Sequence, residues 1–161
     1  MKIREVSRTK AAIAVAGAVV AVTAAGAAMA SATQSFGSVS AVLARGLVTE
    51  DSKINTKAIK LKTKEPFEIV TQTVTFQPGG TSGWHGHPGP VFVAVKSGTV
   101  TVYDATCIPR RYSAGQGCLE GPEPSVVRNE GTVVSENVAT LLVPAGSPAR
   151  SDSPSLCPGI P

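Results

Sequence analysis

Gly79-Gly80-Thr81-Ser82-Gly83-Trp84-His85-Gly86-His87-Pro88-Gly89-Pro90-Val91-Phe92-Val93-Ala94-Val95-Lys96-Ser97-Gly98 is the stretch on which the reading of this chain turns. It opens and closes on glycine turns, and Pro88-Gly89-Pro90 forces another turn between two extended pieces. Residues 91–95 are apolar throughout, the pattern of a strand buried on both faces. Ahead of them stand His85 and His87, the only two histidines of 161 residues. On a strand, residues i and i+2 point to the same face. Both imidazoles are therefore expected to converge on one point and offer two neutral nitrogens to a divalent metal.

Outward from this stretch, the chain reads as short extended segments between turn formers. Residues 39–44 are a first strand. Residues 56–61 alternate Ile59 and Leu61 with Lys57 and Lys60, which suits a half-buried strand with lysines outward. Residues 68–77 make the longest early strand, ended by Pro78-Gly79-Gly80, and residues 84–87 carry the histidines. Lys96-Ser97-Gly98 turns into residues 99–103, where Val100 and Val102 alternate with Thr99, Thr101 and Tyr103. A proline-bearing loop covers residues 107–111, and further strands are expected at 117–119, 125–128 and 132–143. From Pro144 to Pro161, five prolines imply an extended tail lying over the body. Beyond residue 30, Val, Ile and Thr supply 34 residues and Gly and Pro 26, with no amphipathic helix among them. That balance defines an all-β sandwich or closed barrel, a single domain over residues 31–161 with one core.

Residues 1–30 read as an export signal. Lys2, Arg4, Arg8 and Lys10 outweigh Glu5, residues 11–30 are uncharged and mostly Ala and Val, and Ala28-Met29-Ala30 supplies the small-x-small pattern of a cleavage site. An uncharged run of this length is also just long enough for an uncleaved anchor. Against that, Ala adds little to insertion, and Gly17, Thr23 and Gly26 dilute the run. Either way the protein is expected to be secreted or extracytoplasmic, meeting a membrane only through an uncleaved leader. The net charge of +4 belongs mostly to the leader, since 11 Lys+Arg face 10 Asp+Glu beyond it. A nucleic-acid binder needs a concentrated basic face, so that class is set aside.

Cys107 and Cys157 sit in proline-bearing loops, whereas Cys118 stands beside Leu119 in a short apolar strand. In an exported chain a Cys107–Cys157 disulfide is expected, pinning the tail. The chain-entropy model credits a loop of that length with about 4 kcal/mol. Cys118 then reads as a small buried core residue.

The spacing around the histidines resembles a family signature. Gly79, five residues, His85-x-His87, three residues, Val91, six residues and Gly98 follow the first cupin motif, G-x5-HxH-x3-E-x6-G. Residues 115–129 resemble a worn second motif, G-x5-PxG-x2-H-x3-N, with Asn129 in its asparagine slot and Glu130-Gly131 as the turn after it. The resemblance covers roughly residues 65–145 and is to a small single-domain cupin of the RmlC-like superfamily. It implies a double-stranded β-helix, a jelly-roll barrel with the site in its mouth.

Metal-binding cupins take two His and a Glu from the first motif and a third His from the second. Here Val91 fills the Glu slot and Ser125 the third His slot, so two of the four implied ligands are absent. Two imidazoles alone hold a metal weakly. Glu120 and Glu123 are the available substitutes. Glu123 shares a face with Ser125 if that stretch is extended, and Glu120 stands at the end of the 117–119 segment. Either carboxylate completes a two-His, one-carboxylate set for manganese, iron, zinc or nickel. Both glutamates are equally readable as exposed loop charges, and the histidines as barrel filling with no metal. Trp84 reads as core or as a pocket lip, and Phe76, Phe92 and Tyr103 as barrel filling.

Other chemistries find less support. No G-x-S-x-G nucleophile elbow occurs, no phosphate loop runs through the glycines, and glycosidase carboxylates face each other across a cleft, as near neighbours such as Glu120 and Glu123 seldom do. Two functions remain. One is an exported cupin holding a divalent metal through His85 and His87 with Glu120 or Glu123, with or without a small-molecule enzymatic reaction. The other is a non-catalytic cupin-fold domain that binds a small ligand or partner, its metal site degenerate. A small molecule in the barrel is the expected ligand, and pairing into a homodimer through residues 39–44 is left open.

Overall fold

The computed structural model describes residues 31–161, and the expected leader at residues 1–30 lies outside the described residues. Among the described residues there is no helix, and the strands are β1 (Phe36–Val48), β2 (Lys53–Asn55), β3 (Lys60–Lys62), β4 (Phe67–Thr81), β5 (His85–Gly86), β6 (Val91–Ser97), β7 (Thr99–Tyr103), β8 (Arg110–Ser113), β9 (Gly117–Glu120), β10 (Val126–Arg128), β11 (Ser135–Pro144) and β12 (Ser151–Asp152).

β4 organises the barrel. It pairs antiparallel with β1 along one edge and β11 along the other, so Val70 faces Arg45 on one side and Leu141 on the other. β11 continues to β6, and β6 to β9. At its far end β4 turns to meet β10, where Thr81 pairs with Arg128, and the sheet goes on through β7 to β8. This eight-stranded antiparallel sheet curls into a nearly closed barrel.

Period-two burial sets the inward face. On β11, Ser135, Asn137, Ala139, Leu141 and Val143 are buried while their neighbours are half-exposed. Val91, Val93 and Val95 point inward from β6. Val70, Leu141 and Val143 join Val91 and Val93 in one cluster, and Phe76 packs with Val95, Val100, Val102 and Val127 in another. Each such side chain contributes on the order of 1.5–3 kcal/mol by burial. Gly98 closes the turn between β6 and β7 at φ 73°, where a Cβ would lie 2.8 Å from the Ser135 backbone.

Four local expectations change. Residues 91–95 are not buried on both faces: Phe92 is 46% exposed, because the outer face of β6 carries no covering layer among the described residues. Residues 56–61 form no single strand. The Thr56 hydroxyl accepts the Ile59 N–H at 2.9 Å and folds the chain into the β2–β3 hairpin, leaving Ile59 exposed. β4 runs through Pro78-Gly79-Gly80 instead of stopping there. Pro78 lies past the last β11 partner, Phe76, so its missing N–H breaks no ladder bond. The loop expected at residues 107–111 ends at Pro109, and residues 110–111 belong instead to β8, which pairs with β7.

The C-terminal tail does lie over the body. Cys107 is bonded to Cys157, with Cα atoms 5.6 Å apart. Trp84 is fully buried against Val126 and Cys157, and its indole N–H donates to the Ile160 carbonyl at 2.9 Å. β12 pairs with β5, setting Asp152 opposite His85 and Ser151 opposite Gly86.

Candidate metal centre

Gly83, at φ 66°, turns the chain out of β4, and Pro88 follows the histidines, so β5 is only two residues long. Its backbone is nonetheless held on both sides. His85 and Ser125 exchange two backbone hydrogen bonds of 2.9 Å, and the His87 N–H donates to the Gly121 carbonyl at 2.9 Å. Gly86 lies beneath the loop that follows β9, where a Cβ would come 2.5 Å from the Pro122 carbonyl oxygen. Only glycine lets that loop cross between the two histidines. The imidazoles are buried, with ring centroids 4.9 Å apart and planes nearly perpendicular at 84°.

Glu120 is the last residue of β9 and stands directly across the ladder from Val91 of β6. Opposed residues of a ladder share a face, so the carboxylate is delivered beside the position that Val91 occupies. Its Oε2 lies 3.3 Å from His87 Nε2 and 3.9 Å from His85 Nε2, and its side chain is 7% exposed. One ligand atom from each of the three residues falls within 4.8 Å of the others. Atoms bound to one ion at about 2.0–2.2 Å sit about 3.0–3.5 Å apart, so the His87–Glu120 pair already has ligand spacing while the other pairs must draw closer. Glu123 is exposed on the loop between Pro122 and Pro124 and is not part of this group. Ser125 is buried beside His85, joined to it through backbone alone.

The hydrogen bonds decide the tautomers. His85 Nδ1 lies 2.8 Å from the Gly83 carbonyl oxygen and His87 Nδ1 2.7 Å from that of Ala149. A carbonyl only accepts, so both Nδ1 atoms carry hydrogen, and in the neutral rings both Nε2 atoms present lone pairs. Those lone pairs converge on a carboxylate oxygen in a buried place. Three acceptors so disposed repel one another unless a proton or a metal cation lies among them, and a divalent ion serves all three at once. Ligating histidines commonly have their other nitrogen fixed by a carbonyl in this way. Burial, then the Arg150 guanidinium, holds the His85 imidazole below its usual range, against the opposite pull of Glu120 and the Gly83 carbonyl. The ring is thereby kept in the neutral form a metal requires.

A cavity of about 670 Å³ opens over His87, between β1, β4 and the tail. Arg45, Arg150, Gln72 and Ser38 line it beside apolar Val70 and Leu141. Arg150 is anchored by its Nη2, which donates to the Ser82 carbonyl at 2.6 Å, and by Asp152. Its volume falls in the ordinary range for small-molecule sites. The Ala149 carbonyl and Arg150 escape sequence reasoning, since a backbone atom leaves no signature and an arginine in a proline-rich tail resembles any surface charge. Asn137 also borders the site from β11. Its alternation with Ala139 and Leu141 was the available signal that it faces inward.

Barrel and residues together define a cupin-type double-stranded β-helix domain with a two-histidine, one-carboxylate group in its mouth. No protein-family model matches the chain, and no curated protein matches it by sequence. Among solved structures, the chain is similar to an uncharacterised conserved protein with a double-stranded β-helix domain from Klebsiella pneumoniae. That match has 16% identity over 73% of this chain and 85% of the other, with a TM-score of 0.52. It is also similar to a cupin domain from Bordetella pertussis at 15% identity, 66% and 93% coverage and a TM-score of 0.46. A third match is the polyketide cyclase RemF from Streptomyces resistomycificus, at 13% identity over 46% of this chain with a TM-score of 0.43. The chain spans about half the length of that protein, 54%. At 16% identity the Klebsiella pneumoniae likeness speaks to the fold alone.

Proposed function

We propose that this chain is an exported cupin that binds a divalent metal through His85, His87 and Glu120 and receives a small molecule in the cavity above it. The observation that carries the reading is the pair of Nδ1–carbonyl hydrogen bonds, which aims both Nε2 lone pairs at a buried carboxylate. Two imidazoles and one carboxylate suit manganese, iron, zinc or nickel. Bound there, the ion would act as a Lewis acid toward an oxygen of the small molecule. His85 and His87 hold it, Glu120 balances its charge, and Arg45 and Arg150, held by Glu68 and Asp152, offer N–H donors to an oxygen of the ligand. Export is supported by the Cys107–Cys157 disulfide together with the basic and then apolar pattern of residues 1–30.

Metal analysis and calorimetric titration of the purified protein test this. Wild type is expected to take up about one equivalent, and His85→Ala/His87→Ala to lose it. Equal metal content in the two would overturn the proposal. A second reading, a ligand-binding domain without catalysis, is favoured by Val91 and Ser125 standing where a four-ligand cupin has Glu and His. Metal uptake without turnover of any small molecule would select it.

A further inference from the structure

Asn137 points inward from β11, is 3% exposed, and its side-chain oxygen has no hydrogen-bond partner among the described residues. Burying an acceptor unpaired is unfavourable, and such an atom in a folded protein calls for a water or an ion. Asn137 borders a void of about 50 Å³ beneath the mouth cavity, whose other polar walls are His87, Glu120 and Gln72. The rest of its lining is apolar, including Val91, Phe76 and Leu141. A polar space of this size accommodates water.

Resting on the metal reading above, we infer that this void is a water subsite. An ordered water held there by the bound ion would donate a hydrogen bond to Asn137 Oδ1. Three protein ligands leave positions that water fills. An ion polarises its water into a strong donor, and Asn137 supplies an acceptor with no competing partner. Apolar Val91, Val93 and Leu141 share the lining of this position, and of the three candidate ligands His87 also lines the 670 Å³ cavity. Asn137 is thus a positioning residue that acts on the ion through water.

The test loads wild type, Asn137→Leu and Asn137→Ala with manganese and first measures metal content. Water ligands are then counted from EPR line broadening in water enriched in the magnetic oxygen isotope. Leucine fills the void, so N137L is expected to retain metal with one water ligand fewer than wild type. N137A, which leaves space for water, is expected to keep the count but lose its ordering. A crystal structure of the manganese-loaded wild type gives a reading that needs no variant: density is expected within hydrogen-bond distance of both the ion and Asn137 Oδ1. An unchanged count in N137L at equal metal content, or an empty void in the loaded wild type, overturns the inference and leaves the metal site standing. No metal uptake by wild type overturns both.

Discussion

His87 Nδ1 lies 2.7 Å from the carbonyl oxygen of Ala149, 62 residues further along the chain. The contact ties the orientation of a candidate ligand to the C-terminal tail. That tail has its own fastenings: β12 on β5, the Trp84 indole on Ile160, and the Cys107–Cys157 bond.

Opening the disulfide is therefore expected to loosen the site as well as the fold. Cys107→Ser/Cys157→Ser should lose up to about 4 kcal/mol of stability. Its metal affinity should fall roughly 10–100-fold, the usual effect of losing a partner that orients a ligand. Denaturant titration and calorimetry check the two effects. A destabilised variant with unaltered affinity would show that the tail does not orient His87.

The opposition of Val91 and Glu120 predicts that the carboxylate can be moved. Glu120→Ala alone should weaken metal binding by more than the 10–100-fold of an outer partner, because it removes a ligand. Val91→Glu/Glu120→Ala should recover part of that loss, since opposed residues place their side chains about 5 Å apart on one face. Titration with zinc or manganese compares the three proteins. A double variant no better than Glu120→Ala would refute the equivalence of the two positions.

Gly86 has no room for a side chain beneath the Pro122 carbonyl. Gly86→Ala should cost about 1–3 kcal/mol and separate the loop from the histidines, lowering metal affinity with it. Thermal melts and metal titration of this variant should both shift. A melt matching wild type would show that the loop gives way freely.

Stability of the metal-free protein should depend on His85. Its imidazole is held below the ordinary value of 6.5 by burial first and Arg150 second, while Glu120 and the Gly83 carbonyl oppose this and His87 adds to it. As pH falls through 6.5 the unfolded chain takes up a proton that the folded chain refuses. The unfolded state is thereby favoured, so the stability present at neutral pH is lost on acidification. Urea midpoints should drop between about pH 7.5 and about pH 5.5, less so in His85→Gln. Identical slopes in the two proteins would contradict this assignment.

Cys118 should be an inert thiol. Burial, and then the nearby Glu120 charge, pushes it up to about 12 from 9.0. Its thiolate fraction is then about 1,000-fold below that of an ordinary cysteine. Alkylation near neutral pH should be slow in the native protein and rapid in guanidinium. Rapid native labelling would place the thiol in a different environment.

Much of this was legible from residues close together in the chain. The i, i+2 spacing of His85 and His87 and the turns at Gly83 and Pro88 are local, and the imidazoles do converge. The loop setting of Cys107 and Cys157 likewise predicted their bond. Phe92 shows where locality fails. An apolar run looks the same whether one face or both are covered, and only the neighbouring layers decide. The hairpin at Thr56 and Ile59 was missed because a hydroxyl closing a turn outweighed a lysine alternation.

By itself, then, the sequence determined the all-β architecture and a pair of histidines on one face, because period-two patterning and turn chemistry act over a few residues. Only the tertiary structure brought Glu120, and not Glu123, beside the histidines, through the register that sets Glu120 across from Val91. It also brought the Ala149 carbonyl to His87 and left Asn137 unpaired beside them. Those relationships join strands far apart in the chain, and strand register is set by the packing of the whole barrel.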